Sequence, residues 1–175
     1  MEKYVVSARK YRPTKFEEVI GQEHVTTTLK NAVKNNKVAQ SLLFCGPRGV
    51  GKTTCARILA NEINKFSIDN PIESSNSLNI YELDAASNNS VDDIRNLIDQ
   101  VRYAPQSGKY KVYIIDEVHM LSNAAFNAFL KTLEEPPSYA IFILATTEKN
   151  KVIPTILSRC QIYDFNRIEI IDIKN

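Results

Sequence analysis

The stretch GPRGVGKTT, Gly46–Thr54, constrains this chain more than any other. It fits the pattern G-x-x-x-x-G-K-[ST]. It lies between a short apolar run, SLLFC, and a segment of helical spacing, Lys52–Asn64. A strand before and a helix after are the context that this motif requires. The glycines let the backbone curl inward, so that several N–H groups converge on an anion at a helix N-terminus, where the helix dipole adds attraction. The candidate nucleotide-binding residues are therefore Gly46, Pro47, Arg48, Gly49, Val50, Gly51, Lys52, Thr53 and Thr54. Lys52 is expected to reach the β- and γ-phosphates of ATP, and Thr53 to hold Mg²⁺.

A phosphate loop of this kind needs a sheet behind it. Five short apolar runs supply one: Ser41–Cys45, Asn79–Leu83, Lys111–Ile115, Ala140–Ala145 and Cys160–Phe165. Several are continuously apolar rather than alternating, which fits strands covered on both faces of a parallel sheet. Helical segments lie between them. Glu23–Asn36 carries Val25, Leu29, Ala32 and Val33 at helical spacing. Ser90 is placed to cap a helix with Asp92 and Asp93 in its first turn, and Ser122 to cap another that ends before Pro136-Pro137. Strand and helix alternate, so the fold class is α/β, with helices on both sides of a parallel sheet. Residues 66–77 are polar and aperiodic and predict a loop.

The second chemical element is VYIIDEVH, Val112–His119. A buried strand ending in Asp116-Glu117 puts two carboxylates at the sheet edge where open α/β folds bind ligands. Asp116 is expected to act on the Mg²⁺ shell and Glu117 to polarise an attacking water. A second acid directly after the first favours water over the hydroxyl substrate of a kinase. The third element is FILATTE, Phe142–Glu148. Thr146 or Thr147 is a candidate for sensing the γ-phosphate or the water, with Thr147 preferred.

Other features narrow the class. Net charge is +2, which neither demands nor excludes a nucleic-acid partner. No apolar run approaches the ~20 residues that span a bilayer, and the N-terminus has no signal-peptide core, so a cytoplasmic protein with no membrane partner is expected. Cys45, Cys55 and Cys160 lack metal-site spacing and read as small buried residues. Arg159, taken alone, reads as a solvated surface charge.

The order and spacing of several motifs place the chain in a family context. ARKYRPTKFEEVIGQEHV (Ala8–Val25), GPRGVGKTT, ELDAAS (Glu82–Ser87), YIIDEVHMLS (Tyr113–Ser122), FNAFLKTLEEPP (Phe126–Pro137) and TILSRC (Thr155–Cys160) together resemble AAA+ ATPases of the clamp-loader type. The bacterial DNA polymerase III gamma/tau family is the nearest in wording. LKTLEEPP and SRC argue against other AAA+ machines, such as replication initiators or branch-migration helicases.

The resemblance implies a three-layer α-β-α sandwich with strand order 5-1-4-3-2 over residues 1–175. It implies Mg²⁺-dependent ATP hydrolysis that loads a sliding clamp on primed DNA in the bacterial cytoplasm, alongside other clamp-loader subunits. It assigns adenine and ribose contacts to Ala8, Tyr11, Arg12, Pro13, Val19 and Ile20. Asp116-Glu117 take the Walker B positions and Thr147 the sensor-1 position. Arg159 becomes a finger directed at the neighbouring subunit's nucleotide. Asn88, Asn89, Ser90 and Arg95 become candidate contacts for primer–template DNA, although an intrahelical pair of Arg95 with Asp92 is an equal alternative.

Two departures bear on these expectations. Many relatives carry a four-cysteine zinc module after the phosphate-loop helix, whereas 61–77 here has no cysteine, so no zinc is expected. The chain also stops at Asn175, before the family's helical lid and collar. Weak activity is expected of this piece alone, and an assembly role without its own turnover stands as the alternative.

Overall fold

The computed structural model describes residues 13–65, 79–106 and 109–168. Five strands form one sheet: β1 (Ser41–Cys45), β2 (Ile80–Asp84), β3 (Lys111–Asp116), β4 (Ala140–Thr146) and β5 (Gln161–Asp164). All neighbouring pairs are parallel, in the order β2-β3-β4-β1-β5. Read from the other side this is 5-1-4-3-2, the expected order. The helices are α1 (Glu23–Lys34), α2 (Lys52–Lys65), α3 (Val91–Val101), α4 (Asn123–Glu134) and the short α5 (Pro154–Leu157).

The continuous apolar runs are explained by what covers them. Alternate residues of each inner strand enter two separate cores. Leu42, Phe44, Val112, Ile114, Ile141 and Ile143 pack with α1 and α2. Leu43, Tyr113, Ile115, Phe142 and Leu144 pack with α3, α4 and α5. A strand buried on both sides has no reason to alternate with polar residues.

The helix starts follow their caps. The Ser90 side chain accepts from the Asp93 backbone N–H, while the Asp93 carboxylate accepts from the Ser90 N–H, a reciprocal capping box. The Ser122 hydroxyl accepts from the Ala125 N–H. Replacing Ser90 with Ala is expected to cost about 1 kcal/mol, read as a lower urea midpoint with unchanged slope.

The expected boundaries differ from the structure at several ends. Helix α1 stops at Lys34 rather than Asn36, because Asn36 takes a left-handed φ of 55°. Strand β2 begins one residue late and runs on to Asp84, and β5 is trimmed to Gln161–Asp164. Helix α5 starts at Pro154, which suits a first helical position because it has no N–H to leave unpaired.

Parallel register brings Cys45, Asp84, Asp116, Thr146 and Asp164 to one edge of the sheet. The chain leaves β1 toward β2 on one side and leaves β4 toward β5 on the other. The crevice between β1 and β4 is thus the topological switch point, where ligands bind in open α/β sheets. No helix among the described residues is long and apolar enough to cross a membrane.

Candidate functional site

The loop between β1 and α2 lies over this switch point. Arg48, Gly49, Gly51, Lys52, Thr53, Thr54, Asp116 and Glu117 line a cleft of about 170 Å³. Glycine is required at two places for different reasons. A Cβ on Gly46 would meet the Phe165 carbonyl oxygen at 2.8 Å, so the loop and β5's extension approach too closely for any side chain. Gly51 has a φ of 98°, where L side chains are strained, although a Cβ there would meet Val19 Cγ1 only at an ordinary 3.6 Å.

Lys52 begins α2 and is 6% exposed. Its ammonium donates to the carbonyls of Gly46 and Pro47, at 2.5 and 2.6 Å, and so lies within its own loop. Burial lowers its pKa, opposed by the nearby carboxylates of Glu117 and Asp116. One residue on, the Thr53 hydroxyl donates to Asp116 Oδ2 at 3.2 Å. A hydroxyl and a carboxylate side by side at a phosphate loop form an oxygen donor set of the kind that suits Mg²⁺, which is bound by few protein ligands plus substrate phosphates. The residues present therefore fit the metal.

Glu117 follows the end of β3 in a left-handed conformation, φ 53° and ψ 46°. A non-glycine residue there costs about 1–3 kcal/mol, a cost met with at functional sites. Its N–H donates to Asp116 Oδ1 at 2.9 Å, which ties the two acids together. The Thr147 hydroxyl donates to Glu117 Oε2 at 3.2 Å. Thr146, in contrast, is fully buried, and its hydroxyl is engaged with the Glu148 N–H at 3.0 Å and with His119 Nδ1 at 2.8 Å. Of the two threonines, only Thr147 touches a cleft carboxylate.

Val19 is buried against the loop near Gly51, and Ile20 beside it is 47% exposed. Pro13 is half-buried. Ala8, Tyr11 and Arg12, the other expected base contacts, lie outside the described residues, as do positions 66–77 of the stretch expected to replace the zinc module.

Arg159 sits just past α5 and is not among the residues that line the cleft. It is not idle: its guanidinium donates to the Thr155 carbonyl at 2.8 Å and to Glu134 Oε1, at the end of α4, at 2.7 Å. Around the start of α3, the Asn88 amide donates to the Asp84 carbonyl, the Ser90 hydroxyl is engaged in the cap, and Asn89 is exposed. Arg95 pairs with Asp92 at 3.8 Å, the intrahelical alternative, with both side chains well exposed.

His119, Glu148 and Glu134 are neighbours of these residues that motif spacing does not single out. His119 stands within VYIIDEVH, and a histidine two residues after the acid pair is the one available signal. Glu148 and Glu134 reach their partners through the fold alone.

Comparison with known proteins settles the family. The family model described as DNA polymerase III, delta subunit, matches residues 21–169. The chain belongs to this family of DNA polymerase III subunits. Within the curated relatives of this DNA polymerase III module, the tau subunit of Bacillus subtilis is 52% identical over 176 residues, covering 94% of this chain and 31% of that protein. The tau subunit of Escherichia coli is 46% identical over 183 residues, covering 98% of this chain and 28% of the relative. The chain thus spans less than a third of either. Among solved structures, a DNA polymerase III gamma subunit-related protein from Thermotoga maritima superposes with a TM-score of 0.65 at 26% identity, covering 81% of this chain and 46% of that one. The RuvB Holliday junction branch migration motor of the same organism gives 0.71 at 25% identity, covering 94% and 51%. The fold is that of an AAA+ P-loop ATPase.

Proposed function

We propose that this chain is the ATP-binding and ATP-hydrolysing module of a replicative clamp-loader subunit. In that role it uses ATP to place a ring-shaped sliding clamp on primed DNA, with other loader subunits, in the bacterial cytoplasm. The observation that carries the proposal is one cleft at the switch point: the phosphate loop, the Thr53–Asp116 pair and the Glu117–Thr147 pair all meet there. Membership of the DNA polymerase III subunit family supports the biological setting.

The roles follow from position. The N–H groups of Gly49–Thr54 and the Lys52 ammonium bind the phosphates of ATP. For the triphosphate, Lys52 exchanges the two carbonyls it now contacts for phosphate oxygens, a stronger charge-assisted pairing. Thr53 and Asp116 hold Mg²⁺, which when bound supplies positive charge against the phosphate oxygens. Glu117 orients the attacking water and accepts its proton. Thr147, bonded to Glu117 at the cleft, is the sensor. Val19 and Ile20 form the apolar side of the base site, and the resemblance to the family adds Ala8, Tyr11, Arg12 and Pro13 as base and ribose contacts. Arg159 acts in trans on a neighbouring subunit's nucleotide.

The DNA contacts are the weakest electrostatically. Asn88, Asn89 and Ser90 offer amide and hydroxyl groups toward phosphates. Asp93 already occupies the helix N-terminus, and Arg95 is shared with Asp92. Positioning contacts of this kind carry no sequence information, which suits a loader that recognises a junction rather than a sequence.

A hydrolysing role is favoured over a purely assembling one by the Glu117–Thr147 contact, since a nucleotide-dependent tether needs the phosphate loop but not a held carboxylate. The test is ATP binding by the full-length chain with Lys52→Ala. Losing one charge-assisted contact worth about 1.5–3 kcal/mol is expected to weaken ATP binding roughly 10–100-fold, measured by titration calorimetry. Unchanged affinity would place the nucleotide elsewhere.

A further inference from the structure

Next to the cleft lies a histidine that the roles above leave unused. His119 belongs to the 3-10 turn Val118–Met120 directly after Glu117, and its side chain is 6% exposed. Nδ1 is 2.8 Å from the Thr146 hydroxyl. Nε2 lies 3.5 Å from Glu117 Oε2 and 3.7 Å from Glu148 Oε2.

The two carboxylates around Nε2 select the neutral tautomer, and the Thr146 hydroxyl suits either. Its oxygen accepts from the Glu148 N–H at 3.0 Å and still has a hydrogen to donate to His119 Nδ1. Nδ1 then accepts, and Nε2 carries the N–H. That N–H faces two carboxylates, and a lone pair there would be repelled. The strand end of β4 thereby orients the ring, and the ring orients Glu117.

We propose that His119 is a positioning residue for Glu117. This inference rests on the reading of Glu117 as the group that orients water. Thr147 and His119 both approach Oε2. With Oε2 held from two directions, Oε1 is the oxygen presented to water. The distances to Nε2 are long for hydrogen bonds, as catalytic contacts often are before they tighten around substrate.

Two substitutions separate reach from polarity. In His119→Gln the amide N–H extends as far as Nε2 and can still meet Glu117. In His119→Asn the amide reaches only the Nδ1 position and the Thr146 hydroxyl. Both keep a polar side chain in the same pocket. Single-turnover ATP hydrolysis is measured at saturating ATP in the full-length chain assembled with its partner subunits, beside ATP affinity and the Glu117→Gln control. His119→Asn is expected to slow hydrolysis by about 10²-fold, the loss from a displaced catalytic group, with ATP affinity unchanged. His119→Gln is expected to retain most of the rate. Adding His119→Asn to Glu117→Gln is expected to cost nothing more, since one acts through the other. Equal loss in Asn and Gln variants, a wild-type rate in His119→Asn, or additive losses in the double variant would each overturn the inference. If Glu117→Gln itself hydrolyses normally, the water-orienting role of Glu117 fails first, and the inference about His119 falls with it.

Discussion

Glu117→Gln is expected to leave ATP binding intact and to lower hydrolysis by about 10²–10⁴-fold, the contribution of a positioned general base. The structural reasons are specific. Glu117 lines the cleft, whereas the groups proposed to hold the nucleotide are Lys52 and the backbone N–H groups of the loop, which Glu117→Gln leaves in place. Gln keeps the length and the acceptor oxygen toward Thr147 but cannot take a proton from water. Loss is therefore confined to turnover, and the nucleotide affinity of the variant is the internal control. Equal loss of affinity and turnover would mean that Glu117 serves binding. No loss of either would remove hydrolysis from this cleft.

The second large effect belongs to Arg159→Ala. An arginine finger is worth about 10³–10⁵ in rate, or roughly 4–7 kcal/mol. The loss is expected in the adjacent subunit's site and not in this one, because Arg159 lies just beyond α5 and does not line its own cleft. In the chain by itself the guanidinium is bound to Glu134 and the Thr155 carbonyl. That pair is partly exposed, 32% at Arg159 and 49% at Glu134. Ion pairs in such settings contribute about 0–1 kcal/mol. A neighbour's phosphate, with more charge and fork-matched oxygens, is expected to displace Glu134. A complex carrying the substitution in a single subunit shows which site fails. Failure of the mutated subunit's own site would contradict the trans assignment.

These two residues also show what a sequence discloses and what it hides. The sheet was legible because β1, β3 and β4 are covered on both faces, so burial writes itself as unbroken apolar runs. The phosphate loop and Asp116-Glu117 were legible because each is contiguous and lies at a strand end. The starts of α3 and α4 were legible in Ser90 and Ser122, whose hydroxyls accept from backbone N–H groups three residues on. The rest depends on contacts between distant segments. Glu134 and Arg159 are 25 positions apart, and His119 and Thr146 are 27 apart. No local pattern records that the end of α4 lies beside the residue just past α5. The different surroundings of Thr146 and Thr147 likewise needed the fold: Thr146 is buried at the end of β4, and Thr147, just beyond it, meets Glu117. The four-residue helix α5 is too short to show a period.

Hydrolysis in the cleft and its proposed mechanical outcome are measurable together. Phosphate release and closure of the clamp on primed DNA are followed in the same reaction, with the full-length chain in its assembled complex, for the native protein and for Glu117→Gln. The account predicts that closure follows phosphate release in the native complex, and that in the Glu117→Gln complex the clamp opens with ATP but does not close on DNA. Closure at the native rate without phosphate release would contradict it.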